Sequence, residues 1–115
     1  MVKTKILGTE YTVFIDDLNN QMLNDKDGYC RIYGKKIVIR KPDYLVEECD
    51  ENKEKIKKTR FQEVLLHELI HAYCKECSVF YDENEQLVDW FAEKIPNIIE
   101  SYVDIIGKLD EKDMK

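Results

Sequence analysis

Apolar residues fall in short β-favouring runs over the first third of the chain and at helical spacing over the rest. Lys3 to Leu7 and Tyr11 to Ile15 are runs of the first kind, joined at Gly8-Thr9, and predict a hairpin. Asp16 to Gly28 is rich in Asn and Asp and predicts an exposed loop with at most a turn of helix around Met22. Tyr29 to Tyr33 and Lys36 to Arg40 flank Gly34-Lys35 and predict a second hairpin. In its last strand Ile37 and Ile39 alternate with Val38 and Arg40, which suits one buried face. Pro42 ends this sheet region, residues 1–42.

The charge run from Glu47 to Arg60 passes from acidic to basic, with Asp50 or Asn52 placed to cap a helix. From Phe61 onward Leu65, Leu66, Leu69, Ile70, Ala72 and Tyr73 cover most of the helix circumference. A helix over 50–77 follows, buried on nearly every side except a stripe of Glu63, His67, His71 and the nearby Cys74. Residues 82–109 predict a further helix that Pro96 kinks or restarts, with Ile98, Ile99, Tyr102, Val103, Ile106 and Leu109 expected to close the core and a partner surface as the alternative. The expected fold is α+β: a small, mostly antiparallel sheet and three helices in a single domain spanning 1–115.

At 115 residues and 43% hydrophobic, the chain suffices for one core and not for two. A formal net charge of −6 argues against nucleic acid or an anionic membrane as the main partner, since both require a basic patch. No apolar run reaches the length of a membrane span, and the N-terminus leads into no signal-peptide core, so a cytoplasmic protein is expected. Cys30, Cys49, Cys74 and Cys77 are then expected to be reduced.

The chemistry concentrates in His67-Glu68-Leu69-Ile70-His71. Residues four apart on a helix lie about 40° from each other on one face, so both imidazoles can reach a single metal ion. Glu68 lies about 100° round from His67, too far to be a ligand but within reach of a water at the metal. This is the two-ligand, one-base division of H-E-x-x-H metallopeptidases. The bland alternative is a pair of hydrogen-bonded histidines with Glu68 exposed.

A catalytic zinc takes three protein ligands and keeps a fourth position open. His67 and His71 are the chain's two histidines, so the third ligand is a carboxylate or a cysteine. Glu85 and Asp89 lie one turn apart on the next helix, beside the apolar stripe of Val88, Phe91, Ala92 and Ile95. Glu85 is expected to reach the metal, while Asp89 accepts a hydrogen bond from the far nitrogen of a liganding histidine. The alternative makes Asp82 the helix N-cap with Glu85 as its capping-box partner, and Asp89 a solvent charge.

His67 to His71 followed by Asn84-Glu85-x-x-x-Asp89 resembles the signature of the gluzincins, the thermolysin-like zinc metallopeptidases. Glu85-Gln86-Leu87-Val88-Asp89-Trp90-Phe91-Ala92 also resembles a segment of the ImmA/IrrE-type metallopeptidases, a layout shared by small phage-encoded proteins. The resemblance covers residues 29 to 96 well and the N-terminal hairpin loosely. It implies a minimal zincin-like fold, one zinc per chain, a peptide or protein substrate, and an edge strand at Ile37 to Arg40 along which that peptide lies. Val88 departs from the alanine the second pattern prefers. The second-domain histidine that stabilises the thermolysin oxyanion has no counterpart here.

Aligned instead on H-E-x-x-H-x-x-G-x-x-H, Cys74 takes the glycine position and Cys77 that of the third histidine. Without that glycine the helix has no place to turn, so Cys77 is expected on the helix, pointing away from the metal, and both residues read as buried free thiols. The leading expectation is a zinc peptidase with His67, His71 and Glu85 as ligands, Glu68 as general base and Asp89 behind a ligand, with or without an activating partner. The alternatives are a zinc-stabilised regulator that binds a peptide without cutting it, and a helical interaction protein without metal.

Overall fold

A computed structural model describes residues 1–16, 26–45, 51–110 and 112–113. Four strands are formed among the described residues: β1 (Val2–Ile6), β2 (Thr9–Asp16), β3 (Gly28–Arg31) and β4 (Lys36–Arg40). Leu7 and Gly8 both adopt positive φ, 50° and 87°, the backbone hand of the tight turn that lets β1 and β2 pair antiparallel. β3 and β4 also pair antiparallel, whereas β4 lies parallel to β2, giving the order β1-β2-β4-β3. The sheet is thus mixed and mostly antiparallel, as expected. The expected loop and Met22 turn fall largely on residues 17–25, and the acidic start of the charge run falls on 46–50; both lie outside the described residues.

The expectation that Ile37 to Arg40 forms an edge strand is overturned. β4 is interior, between β2 and β3, and among the described residues β1 and β3 are the edges. Burial gives the reason: Ile37, Val38, Ile39 and Arg40 are all buried, so β4 is covered on both faces, not on alternate residues. Ile37 and Ile39 join Ile6, Tyr11 and Ala72 in the core, with Phe61, Val64, Leu65 and Leu69 packed against it. Val38 is flanked on its own face by Phe14 of β2 and Tyr29 of β3. Arg40 donates from Nε and Nη2 to the Lys26 carbonyl (3.1 and 2.6 Å), tying down the chain that enters β3.

Helix α1 (Lys53–Glu76) crosses the sheet over β3 and β4. It approaches β3 closely because that strand begins with glycine: a Cβ on Gly28 would stand 2.9 Å from the Val38 carbonyl oxygen and 3.1 Å from Val64 Cγ1. The C-terminal end of α1 is pinned to the first hairpin, where Glu76 accepts from Thr9, Tyr11 and Lys35 at 3.1, 2.7 and 2.8 Å. Most apolar side chains of α1 are only half-buried, and its two buried residues are Ala72 and the carboxylate Glu68.

Helix α2 runs from Glu85 to Lys108 through Pro96. The restart expected at the proline does not occur, and the described residues form two α-helices where three were expected. A proline costs a helix one N–H bond and a local clash, about 3 kcal/mol, but helix-compatible residues on both sides carry it across. Val88 and Ala92 are buried toward α1. The expectation that the last turns close the core is also overturned: Ile98, Ile99, Tyr102, Val103 and Ile106 are all half or more exposed, because α2 continues past what covers its first half. No helix among the described residues is long and apolar enough to cross a membrane.

Candidate metal centre

Three elements deliver the candidate residues. α1 supplies His67, Glu68 and His71; the first turn of α2 supplies Glu85 and, one turn on, Asp89; and a 3-10 turn, Tyr81–Glu83, supplies Asp82. Asn84 caps α2, its side-chain oxygen accepting from Leu87 N at 3.1 Å. The alternative in which Asp82 caps the helix and Glu85 closes a capping box does not hold. Freed from capping, Glu85 turns toward the histidines from the positive end of the helix.

His67 Nε2 and His71 Nε2 stand 3.1 Å apart. Glu85 places Oε2 at 3.0 Å from the first and Oε1 at 3.3 Å from the second. Each of the three residues offers one ligand atom, and these all lie within 4.8 Å of one another. Four ligands at zinc–nitrogen or zinc–oxygen distances of about 2.0–2.1 Å mark out a tetrahedron with edges of roughly 3.3 Å, so the spacings fit three corners around one zinc ion.

The hydrogen bonds behind the rings make the same point independently. His67 Nδ1 donates to Asp89 Oδ1 at 2.7 Å, and His71 Nδ1 donates to Asp82 Oδ2 at 2.8 Å. A neutral imidazole whose Nδ1 carries the proton has only a lone pair on Nε2. Two such lone pairs and a carboxylate then converge on one point, an arrangement that a cation relieves.

Glu68 is 6% exposed, with Oε1 4.0 Å from His67 Nε2 and Oε2 buried without a hydrogen-bond partner among the described residues. Burial raises its carboxyl above the ordinary value, against the opposing pull of the two neighbouring histidines. The reading of Glu68 as exposed is therefore excluded, and the group is placed to accept or release a proton at the centre.

The cluster opens into a cleft of about 760 Å³, walled by β3 and the chain just before it, by α1 and by the start of α2. Glu63, expected on the histidine stripe, lines it. So does Cys30, whose thiol is pushed up to about 11 by burial and then by the charges of Glu68 and Asp82. Cys30, Cys74 and Cys77 form no disulfide among the described residues, and Cys49 lies outside them. Cys77 is the C-cap of α1, exposed and not part of the His–His–Glu cluster, so the rival third ligand falls away and its expected burial is corrected. Cys74 is half-buried, and burial raises its thiol.

His67, His71, Glu85 and Asp89 are thus brought together as the sequence pattern required. Asp82, 3% exposed and hydrogen-bonded to His71, was missed because its position on a short turn carries no periodic signal. Against known protein families, curated proteins and solved structures, the chain finds no match. The helix-borne His67-Glu68-x-x-His71 pair with Glu85 forms a zincin-like cluster whose geometry could hold a metal ion.

Proposed function

We propose that the protein is a zinc-dependent peptidase of gluzincin type, with His67, His71 and Glu85 as metal ligands and Glu68 as the proton-transfer group. The observation that carries this reading is the Glu68 carboxyl: buried, raised in pKa, with one oxygen unpartnered among the described residues beside three converging ligand atoms. A closed structural zinc would have no use for it. Zinc held by the three ligands supplies Lewis acidity, which brings the ionisation of water toward neutral pH.

The chain's own groups perform the rest. Glu68 takes a proton from the attacking water as its oxygen bonds to the peptide carbonyl carbon, then returns that proton to the nitrogen as the C–N bond breaks. Asp82 and Asp89 hold the imidazoles with Nε2 facing inward. β3, the edge strand bordering the cleft, offers backbone N–H and C=O groups to an extended substrate. This edge demands little of side-chain identity, which supports a peptide or protein substrate without selecting a sequence.

The test compares zinc-loaded wild type with Glu68→Gln on a mixed peptide library. The expected result is cleavage by the wild type, reduced about a hundredfold or more in the variant at equal zinc content. Equal peptide capture by both without cleavage by either would replace the enzyme with a zinc-stabilised binding module. Identical cleavage by both would remove Glu68 from the mechanism.

A further inference from the structure

The second half of α2 carries an apolar face that the centre does not use. At about 100° per residue, Ile98, Ile99, Tyr102, Val103, Ile105, Ile106 and Leu109 fall within an arc of roughly 160°, while Glu93, Asn97, Glu100, Ser101, Asp104 and Lys108 occupy the opposite side. These apolar residues are 40% to 65% exposed. The arc continues the stripe of Val88 and Ala92 that packs on α1 in the first half of the same helix. One helical face therefore begins as a helix–helix interface and continues with no covering element among the described residues.

We propose that this face pairs with its own counterpart in a second copy of the chain, as a two-fold helix–helix dimer. The seven side chains expose on the order of 700 Å² per chain, close to the about 800 Å² that each partner contributes to a standard interface and beyond the roughly 300–600 Å² patch of an ordinary monomer. A two-fold pairing of antiparallel helices brings the same apolar arc from both sides, and each α2 then supplies for the other what α1 supplies over its first half.

Charge selects against a lipid surface as the occupant. Interfacial helices are rich in Lys and Arg on their polar side. Here the polar side carries Glu93, Glu100 and Asp104 against Lys94 and Lys108, on a chain of formal net charge −6. The apolar arc holds no charged side chain, as the centre of a protein interface requires. This pairing is independent of whether the metal centre cleaves peptides.

Sedimentation equilibrium of the full chain over a wide concentration range reads it directly. The expected result is a species of twice the single-chain mass, with Ile98→Asp and Ile106→Asp each weakening association about tenfold or more while circular dichroism stays unchanged. Glu100→Gln, on the polar side, should leave the dimer intact. A wild-type chain that stays monomeric at every concentration overturns the proposal, as does a dimer insensitive to both isoleucine substitutions. Flotation of a monomeric chain with phosphatidylcholine–phosphatidylglycerol vesicles would overturn it in favour of lipid.

Discussion

The two imidazoles of the centre have the same inward geometry and opposite surroundings. His71 is backed by Asp82, whose side chain is 2% exposed, and His67 by Asp89, whose side chain is 70% exposed. The hydrogen bonds are nearly equal in length, 2.8 and 2.7 Å. Equal distance does not mean equal consequence. Water can replace Asp89 when it is lost, whereas loss of Asp82 leaves a partly buried N–H without a partner. The Asp82–His71 pair is therefore the buried half of the centre and the Asp89–His67 pair the solvent-facing half.

Removing a ligand sets the upper limit for that comparison. His67→Ala and His71→Ala should each abolish stoichiometric zinc uptake and the rise in melting temperature that zinc produces, read by elemental analysis and thermal denaturation. A wild-type chain that takes up no zinc would remove the centre altogether.

The comparison itself is tested one step outward. Asp82→Ala should weaken zinc binding by about a hundredfold and also lower the melting temperature of the metal-free chain, because an unsatisfied buried donor costs about 1–3 kcal/mol. Asp89→Asn should weaken zinc binding by only about tenfold, with the metal-free chain melting as wild type. Competition against a chelator measures both affinities. Equal losses from the two substitutions would mean that burial does not distinguish the two halves.

The smallest effect comes from Glu76, at the far end of the helix that carries both histidines. The hydrogen bond from Lys35, followed by that from Tyr11, holds its carboxyl below the ordinary value. A carboxylate lowered on folding stabilises the fold at pH above its unfolded pKa, and that contribution is lost as pH falls through the folded value. Wild type should therefore outlast Glu76→Gln near neutral pH, with the difference shrinking as the medium becomes strongly acidic. Chemical denaturation at stepped pH checks this.

The sequence alone determined the parts whose logic is local. His67 and His71 share a face because a helix repeats every 3.6 residues, and Glu85 and Asp89 share one for the same reason. The two hairpins and the α+β class followed from runs and turn residues. Tertiary structure decided what depends on neighbours distant in sequence. β4 became interior because the second hairpin folds it against β2, although its unbroken Ile37-Val38-Ile39 run was a legible sign of burial on both faces. Asp82 became the support of His71 because Asn84 took the cap, a choice between polar residues two positions apart that spacing does not make. An apolar stripe on the end of α2 reads the same in sequence whether it meets a core or is left uncovered. Hydrophobic periodicity records which face seeks burial, and only the packed chain shows which part of that face found it.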